Sequence, residues 1–420
     1  MSSGAAEKVV IVGGGIIGIA CAHFLVREGY QVTVLDKGEI GAGCSFRNCG
    51  HILPSHVLPL NSVAALKQGV LSVLNPKAPF KIQPTLAPSV LNWFTQFARN
   101  CGRKTVEANA FALMDLLSSS FQEFQALPQE LRAKSQWRQS GLLYAFKSQR
   151  ALEGFANVDR ELSDRFGVSA EHLSGDQVTA SDASMAAGLA GGFLYPGDAQ
   201  VSPEALINNW VPYLESLGVK FEPFTTVTGA DYRSGMIATL RTDERVIAAD
   251  HVVLAAGVHC AELANLFESV LPIQPGKGYS VTLRNLSQTP KHALILPECH
   301  IAITAFEKSL RIGSMMEFVG YNVEIPQFRV DQLTTNVAPY FSAPIVAEVD
   351  QPWFGWRPMT WDGLPIIGRL KRAANVIVAT GHSMIGLMTA PGTGKLVSDL
   401  ISERKPHLDA LPFSPHRFNA

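Results

Sequence analysis

The sequence lacks a regular cysteine pattern, a run of basic residues and an uninterrupted apolar segment. Its six cysteines among 420 residues include no Cys-x-x-Cys pair, which argues against a disulfide framework and a structural zinc site and suits a reducing compartment. The formal net charge is −1, and no cluster of lysine and arginine indicates a nucleic-acid interface. We therefore expect no metal ion, no nucleic-acid partner and a small or neutral ligand.

Membrane-spanning segments are not expected either. Two long uncharged windows, residues 48–66 and 373–394, are interrupted by prolines, histidines or glycines, so neither should cross a bilayer. No apolar signal segment precedes the first predicted strand, which favours a cytoplasmic protein. Residues 63–74 are rich in leucine and valine, so a peripheral contact with the inner face of the membrane stays open beside ordinary core packing.

What the sequence does contain, near its start, is a pattern typical of a dinucleotide site. A short β-branched apolar strand is followed by Gly13, Gly15 and Gly18 in the spacing Gly-x-Gly-x-x-Gly. In that arrangement the glycines allow a tight turn, close approach of a pyrophosphate and close packing of the next helix. We expect the phosphates at the N-terminus of that helix, beside Ile16 and Ile17.

An acidic residue follows at the distance that this type of site requires. The predicted helix is capped by Gly29, and the next strand ends on Asp36, 18 residues after Gly18. A carboxylate in this position accepts hydrogen bonds from an adenosine ribose, although an aspartate at the end of a strand also serves as a simple turn residue. The ordered combination favours a dinucleotide site but does not distinguish NAD from FAD.

The loop after Asp36 carries a family resemblance. Residues 37–51 are rich in glycine and small side chains, which is typical of backbone that lies close to a ligand. With the ILPSHVLPL that follows, the loop resembles the FAD-dependent D-amino-acid dehydrogenases, within the superfamily of D-amino-acid oxidase and glycine oxidase. The resemblance implies that Ser45, Asn48 and Gly50 lie along the flavin ring.

Further cofactor contacts are implied by the same resemblance, which extends over nearly the whole chain. It implies that the backbone of Val227 contacts adenine. It also implies that the end of a strand, at Ala256 and Gly257, lies close to the dinucleotide. It also implies that the turn after Gly381 presents N–H groups to the pyrimidine edge of the flavin. The remaining positions implied to contact FAD are Lys37, Met384, Gly386 and Leu387. Covalent attachment through a cysteine stays open.

A second group of residues indicates the substrate site. Arg357 lies in the apolar and aromatic run WFGWRPMTWDGLP, and a buried guanidinium needs an anionic partner. That partner is either a substrate carboxylate, bound through two hydrogen bonds, or Asp362 in a structural ion pair. The resembling motif Gly-x-Arg-Pro-x-Thr-x-Asp-Gly-x-Pro places its arginine at the substrate carboxylate. Tyr279, which either closes over the substrate or packs half-buried, and His51 are the other candidate catalytic residues.

The expected fold is α/β, with an FAD-binding Rossmann-like domain of the glutathione-reductase type and a second α+β substrate domain on a mixed or antiparallel sheet. A chain of this length exceeds the usual size of one core. We assign residues 1–75, 196–270 and 346–420 to the FAD-binding domain, and residues 76–195 and 271–345 to the substrate domain.

The function implied is FAD-dependent oxidative deamination of an amino acid. Hydride would pass from the carbon that bears the amine to flavin N5, and the imino acid would hydrolyse in water. The expected substrate is a D-amino acid, cyclic ones such as D-proline or hydroxyproline included, and the acceptor is a quinone, a carrier or O2. The alternatives are an O2-using oxidase of the glycine or sarcosine type and a non-catalytic dinucleotide-binding subunit.

Overall fold

The structure is a computed structural model that describes residues 6–62, 78–83, 87–286, 288–307, 309–344 and 348–418. Residues 63–74, considered above for a membrane contact, lie outside these ranges. Among the helices described, none has the length and apolar character needed to cross a membrane.

The described strands are β1 (Lys8–Val12), β2 (Gln31–Leu35), β3 (His51–Ile52), β4 (Phe80–Ile82), β5 (Leu142–Phe146), β6 (Glu171–Ser174), β7 (Gly191–Tyr195), β8 (Ala199–Gln200), β9 (Lys220–Glu222), β10 (Val227–Arg233), β11 (Met236–Thr242), β12 (Val246–Ala248), β13 (His251–Leu254), β14 (Gln274–Arg284), β15 (Ala293–Leu296), β16 (Ile301–Phe306), β17 (Ser309–Phe318), β18 (Glu348–Val349), β19 (Trp353–Met359), β20 (Ile366–Arg369) and β21 (Val376–Thr380). The described α-helices are α1 (Ile16–Arg27), α2 (Pro88–Arg99), α3 (Arg103–Ala126), α4 (Gln129–Lys134), α5 (Gln149–Phe166), α6 (Gly175–Ser181), α7 (Pro203–Ser216), α8 (Cys260–Leu263), α9 (Gln327–Val337) and α10 (Gly386–Ile401).

The first large sheet has six strands in the order β20-β21-β13-β1-β2-β9, and all are parallel except β20. Strand β1 is a continuous apolar run that is buried after Lys8, as expected for a parallel sheet with both faces covered. Helix α1 packs against α10 and α7, and α10 also packs against α3. This arrangement confirms the predicted Rossmann-like fold.

The second large sheet is mixed and has ten strands. Its main order is β18-β14-β17-β16-β15-β5-β7-β6, with β19 paired to β14 and β4 paired to β17. Most neighbours are antiparallel, while β5 runs parallel to β15 and β4 parallel to β17. The mixed sheet was expected. Strand β19, which carries Arg357, is hydrogen-bonded into it, although residues 346–420 were assigned to the FAD-binding domain.

The register of β14 and β19 decides which side chains share a face of the mixed sheet. Gly276 lies opposite Arg357, and Lys277 lies opposite Trp356. Because side chains alternate along a strand, Gly278 falls on the face of Arg357 and Tyr279 on the other. Register with β17 adds Gly313 to the Arg357 side. We call this side, with Gly276, Gly278, Gly313 and Arg357, the glycine face.

Candidate active site

The turn after β1 requires glycine at two positions. Gly13 has φ +114°, and an ideal Cβ there would lie 2.5 Å from the carbonyl carbon of Ala255. An ideal Cβ on Gly18 would lie 1.9 Å from the carbonyl oxygen of Gly13. Both contacts are with backbone, which cannot move aside as a flexible side chain would. The first turn of α1 therefore packs directly against the strand end.

The N-terminus of α1 already holds an oxygen acceptor. The main-chain N–H of Ile16 donates to Ser45 Oγ at 3.0 Å, and Gly15 supplies no side-chain cap. Free N–H groups and the helix dipole make such a terminus suitable for phosphate oxygens. Ile17 continues the same turn, and the phosphate contacts expected at Ile16 and Ile17 stay predictions.

The Asp36 carboxylate lies at the edge of the same turn. It accepts hydrogen bonds from the main-chain N–H groups of Gly14 at 2.8 Å and Gly38 at 2.9 Å. A carboxylate has about four acceptor sites, so two further donors can be accommodated. Asp36 can therefore accept ribose hydroxyls without losing its own structural contacts. The side chain of Lys37, the next residue, points to another group: its Nζ lies 3.2 Å from His259 Nε2.

The loop that resembles a flavin-contacting segment has a fixed internal shape. The Asn48 side chain donates to Ser45 O and accepts from the N–H of Gly50, both at 2.8 Å. Gly50 has φ +68°, and an ideal Cβ there would lie 2.0 Å from the carbonyl oxygen of Val201. Ser45, Asn48 and Gly50 are thus brought together in one turn beside the N-terminus of α1.

The final turn of the expected cofactor site joins the six-stranded sheet to α10. Gly381 follows β21 with φ +73°, and an ideal Cβ there would lie 2.6 Å from Thr360 Cγ2. The N–H of Ser383 donates to Pro358 O at 3.0 Å, which ties this turn to the strand of Arg357. Helix α10 starts at Gly386 without a side-chain cap. The N–H groups of its first turn, that of Leu387 included, are therefore suited to donate hydrogen bonds to carbonyl oxygens at the edge of a flavin ring. Met384 is partly exposed beside them.

Three expected contacts lie around β13 and β10. The carbonyl of Ala255 and the N–H of Ala256 lie directly against Gly13, and Gly257 has φ +57°. The carbonyl of Gly257 accepts from Thr380 Oγ1 at 2.9 Å. Val227 is the buried first residue of β10. Their cofactor contacts stay predictions.

Arg357 lies flat on the glycine face. Its Nη1 donates to Met315 O at 2.8 Å and lies 3.9 Å from Met316 Sδ. An ideal Cβ on Gly278 would lie 2.2 Å from both Nη1 and Nη2, so only glycine leaves room for the guanidinium. Burial lowers the pKa of Arg357, and the nearby thiols of Cys44 and Cys49 act in the opposite direction. The side chain remains a cation at neutral pH.

The structural ion pair with Asp362, offered above as an alternative for Arg357, is wrong. Asp362 Oδ2 accepts from Arg417 Nε at 2.6 Å, and its Oδ1 lies 3.3 Å from Arg417 Nη2. Within the described ranges, no carboxylate lies at ion-pair distance from Arg357. Among the residues that the structure describes, its hydrogen-bonding partners are the carbonyl oxygen of Met315 and the sulfur of Met316.

Tyr279 is not brought together with Arg357. Its ring lies on the opposite face of the mixed sheet and is buried, and its hydroxyl donates to Glu317 Oε2 at 2.7 Å. Glu317 in turn pairs with Arg329 at 2.7 Å. Burial and the hydrogen bond to Glu317 raise the pKa of Tyr279. This placement argues against the expected role of Tyr279 over the substrate and supports the alternative of a packing residue.

His51 is buried at the end of the loop, in strand β3. Its Nε2 lies 3.1 Å from Ile303 O, and because a carbonyl only accepts, this nitrogen carries the proton. Burial lowers the pKa of His51 to about 4, so the ring is neutral at pH 7 and Nδ1 is left as an acceptor. A role of His51 in the reaction stays a prediction.

The glycine face itself was not anticipated. An ideal Cβ on Gly313 would lie 2.5 Å from Cys49 Sγ, and one on Gly276 would lie 2.6 Å from Met316 Sδ. The face therefore accepts the loop at one end and Arg357 at the other. The sequence did carry a signal, since Gly276 and Gly278 are separated by two in a predicted strand and must share one side.

Comparisons with known proteins show the family and the fold. A model of the protein family described as "FAD dependent oxidoreductase" matches residues 8–400. The solved structure of glycine oxidase from Geobacillus kaustophilus superposes with a TM-score of 0.77 at 24% identity, over 98% of this chain and 99% of that chain. Glycine oxidase from Bacillus cereus ATCC 14579 gives 0.75 at 20% identity, over 96% of each chain. L-Proline dehydrogenase from P. horikoshii gives 0.76 at 20% identity, over 99% and 98%.

Proposed function

The chain belongs to the family of FAD-dependent oxidoreductases, and we propose that it oxidises an amino acid at the carbon that bears the amine. A D-amino acid is the proposed substrate, with cyclic ones included, and a quinone or a carrier is the proposed acceptor. The resemblance of the Ser45 to His51 loop and of the Arg357 motif to D-amino-acid dehydrogenases supports both choices. The cofactor assignments and domain limits given above are retained as part of this proposal, except that β18 and β19 pair with the mixed sheet.

The observation that carries the proposal is the unpaired charge of Arg357. Its guanidinium is held in place by Met315 O and the space over Gly278, yet no described carboxylate neutralises it. The side chain is half-buried, so water compensates its charge only in part, and a charge taken out of water without a partner is costly. A substrate carboxylate would remove that cost and would be oriented by two parallel hydrogen bonds.

The residues around Arg357 also favour the neutral amine. Burial raises the pKa of Cys49 to about 11 and raises that of Cys44, so both thiols stay protonated at pH 7. With one cation and no carboxylate at ion-pair distance from it in the part of the chain that the structure describes, the site disfavours a second positive charge on the substrate. FAD supplies the acceptor for the electron pair, while the chain binds, orients and excludes water.

The side-chain preference proposed is apolar. Met316 Sδ lies beside the Arg357 guanidinium, and Met316 and Met359 both reach the space over Gly276. The two methionines belong to a buried cluster with Trp93 and Phe97 of α2. Methionine side chains adapt to ligands of different shape. We therefore propose that several apolar amino acids are accepted and that acidic ones are poor substrates.

The direct test is anaerobic reduction of the yellow holoprotein by a panel of D- and L-amino acids. The panel includes glycine, sarcosine and proline, because glycine oxidases and a proline dehydrogenase have similar structures. We expect the flavin absorbance to bleach with apolar D-amino acids. Bleaching by L-enantiomers alone would contradict the stereochemistry, and no bleaching by any member would contradict the whole proposal. Reoxidation by a quinone, compared with reoxidation by O2 and peroxide release, separates dehydrogenase from oxidase.

The variant Arg357→Ala tests the carboxylate assignment separately. We expect it to keep bound FAD and to lose most of its turnover, because the substrate loses its anchor while the cofactor contacts lie elsewhere. Arg357→Lys keeps the charge but not the paired donors, so its turnover should lie between that of the original protein and that of Arg357→Ala. Unchanged kinetics in Arg357→Ala would instead favour a non-catalytic dinucleotide-binding subunit.

A further inference from the structure

The loop that contains Arg47, Asn48 and Cys49 is held by side chains of three different strands. The carbonyl of Arg47 accepts from Ser280 Oγ at 2.8 Å, and the carbonyl of Asn48 accepts from Arg311 Nη1 at 3.2 Å. The carbonyl of Cys49 accepts from the hydroxyl of Thr304. Three consecutive carbonyls are therefore fixed by β14, β17 and β16 in turn. These hydrogen bonds fix the backbone of a loop that has no regular secondary structure.

Arg311 is the centre of this arrangement, because all of its donors are used. Its Nη1 and Nη2 bind Glu204 Oε2 and Oε1 at 2.9 and 2.5 Å, and its Nε and Nη2 bind Thr282 Oγ1 at 3.1 and 3.0 Å. With the contact to Asn48 O, the five N–H groups of the guanidinium are all engaged. The side chain is 4% exposed and lies over the ring of Phe306. Its orientation is therefore fully determined.

Glu204 connects this point to the nucleotide side of the molecule. It lies in the first turn of α7, where the helix dipole favours a carboxylate. Helix α7 packs against α1, and Trp210 Nε1 of α7 lies 3.2 Å from His23 Nδ1 of α1. The Arg311–Glu204 pair thus links the mixed sheet and the loop to α7, which packs against α1, the helix proposed to bind the phosphates.

We propose that Arg311 and Glu204 are positioning residues for FAD. They fix the position of residues 45–50 relative to the glycine face without touching the cofactor. Through that loop they determine the environment of the flavin ring. The inference rests on FAD binding and not on the identity of the substrate. Weakening the pair should therefore change FAD affinity and the flavin spectrum, whichever amino acid the protein oxidises.

The test compares two Arg–Glu pairs that each include a residue of β17 and a buried arginine. Glu204→Gln removes the charge beside the loop, and Glu317→Gln removes the charge that pairs with Arg329 on the opposite face. We expect Glu204→Gln to raise the FAD dissociation constant of the apoprotein by about tenfold, the factor for one charge-assisted hydrogen bond, and to shift the visible flavin bands. Glu317→Gln should lower the melting temperature while FAD affinity stays within about twofold of the original value.

A second variant keeps the experiment decisive if a lone buried charge prevents folding. Arg311→Met combined with Glu204→Leu removes both charges and often leaves stability intact at such pairs. It should fold, bind FAD weakly and show the same spectral shift. The proposal would be overturned if this variant had the FAD dissociation constant and flavin spectrum of the unaltered protein. It would also be overturned if Glu204→Gln and Glu317→Gln changed the FAD dissociation constant equally.

Discussion

The tightest contact of the candidate substrate site is the one between Gly278 and Arg357, and Gly278→Ala is its smallest perturbation. The new Cβ would lie 2.2 Å from Nη1 and Nη2 of Arg357, whereas ordinary contacts begin at 3.4 Å. The guanidinium must therefore move by more than about 1 Å. Gly278 does not have a positive φ, so alanine is compatible with the backbone there, and the strain falls on a flexible side-chain end.

The expected loss is in catalysis and not in folding. A movement of about 1 Å breaks the 2.8 Å hydrogen bond from Nη1 to Met315 O and turns the paired donors away from a carboxylate. A misplacement of this size costs about 100-fold in rate, or about 2.7 kcal/mol. We expect kcat/KM for the amino acid to fall by that factor, while FAD content and melting temperature stay close to the original.

The assay is steady-state oxidation with an artificial acceptor, with Gly276→Ala as the matched control. That Cβ would meet the flexible chains of Met316 and Met359 at 2.6 to 2.7 Å, so Gly276→Ala should shift the preference among amino-acid side chains, whereas Gly278→Ala should lower kcat/KM for every substrate. Adding Gly278→Ala to Arg357→Ala should cause no further loss, because both act through one interaction. Full activity of Gly278→Ala, or additive losses in the double variant, would refute the reasoning.

Three further outcomes are expected. Gly18→Ala places a Cβ 1.9 Å from a backbone oxygen, so the purified protein should be colourless and lack FAD, which absorbance at the flavin bands checks. Arg357→Met should raise the melting temperature measured without substrate, because it removes an unpaired charge. Burial lowers the pKa of His51 to about 4 and that of His382 to about 3. Each ring is therefore neutral in the folded protein, and as the pH falls the unfolded chain takes up a proton first. The free energy of unfolding is consequently largest above about pH 6.5. Below that pH it falls by about 1.4 kcal/mol per pH unit for each histidine, until the pH reaches the pKa of the folded state. Urea unfolding at pH 7.5 and pH 5 measures this slope, and His51→Gln should flatten it; an unchanged slope would contradict the assignment.

The nucleotide side of the fold could be predicted because its constraints are local. The positive φ of Gly13 and the contact between Gly13 and Gly18 involve residues five apart, so spacing alone carries the information. The parallel pairing of β1 with β2 follows from the α1 connection between them, since such connections are right-handed and return to a neighbouring position. The turn at Gly381 needed the resemblance, because no periodicity distinguishes it from an ordinary loop.

The substrate side could not be predicted to the same extent, because it depends on strand register. Tyr279 and Gly278 are neighbours in sequence, and only the pairing of Gly276 with Arg357 puts Gly278 on the face of Arg357 and Tyr279 on the opposite face. A shift of one residue would exchange the two faces. In the same way, Asp362 lies five residues from Arg357, but its partner Arg417 is 55 positions away from it, and such a pairing leaves no mark in the local sequence.

The ion pairs around the mixed sheet give a physical reason to interpret Arg357 as a ligand-binding residue. Arg311, Arg329 and Arg417 each donate to a carboxylate of this chain, and each is thereby compensated for its removal from water. Arg357 donates to a main-chain carbonyl and lies beside thiols that stay neutral. A methionine of similar volume would fill the same space at a lower cost in stability. An arginine held flat by the absence of a side chain at Gly278, and left without a counter-charge, is therefore suited to an anion that arrives from outside the chain.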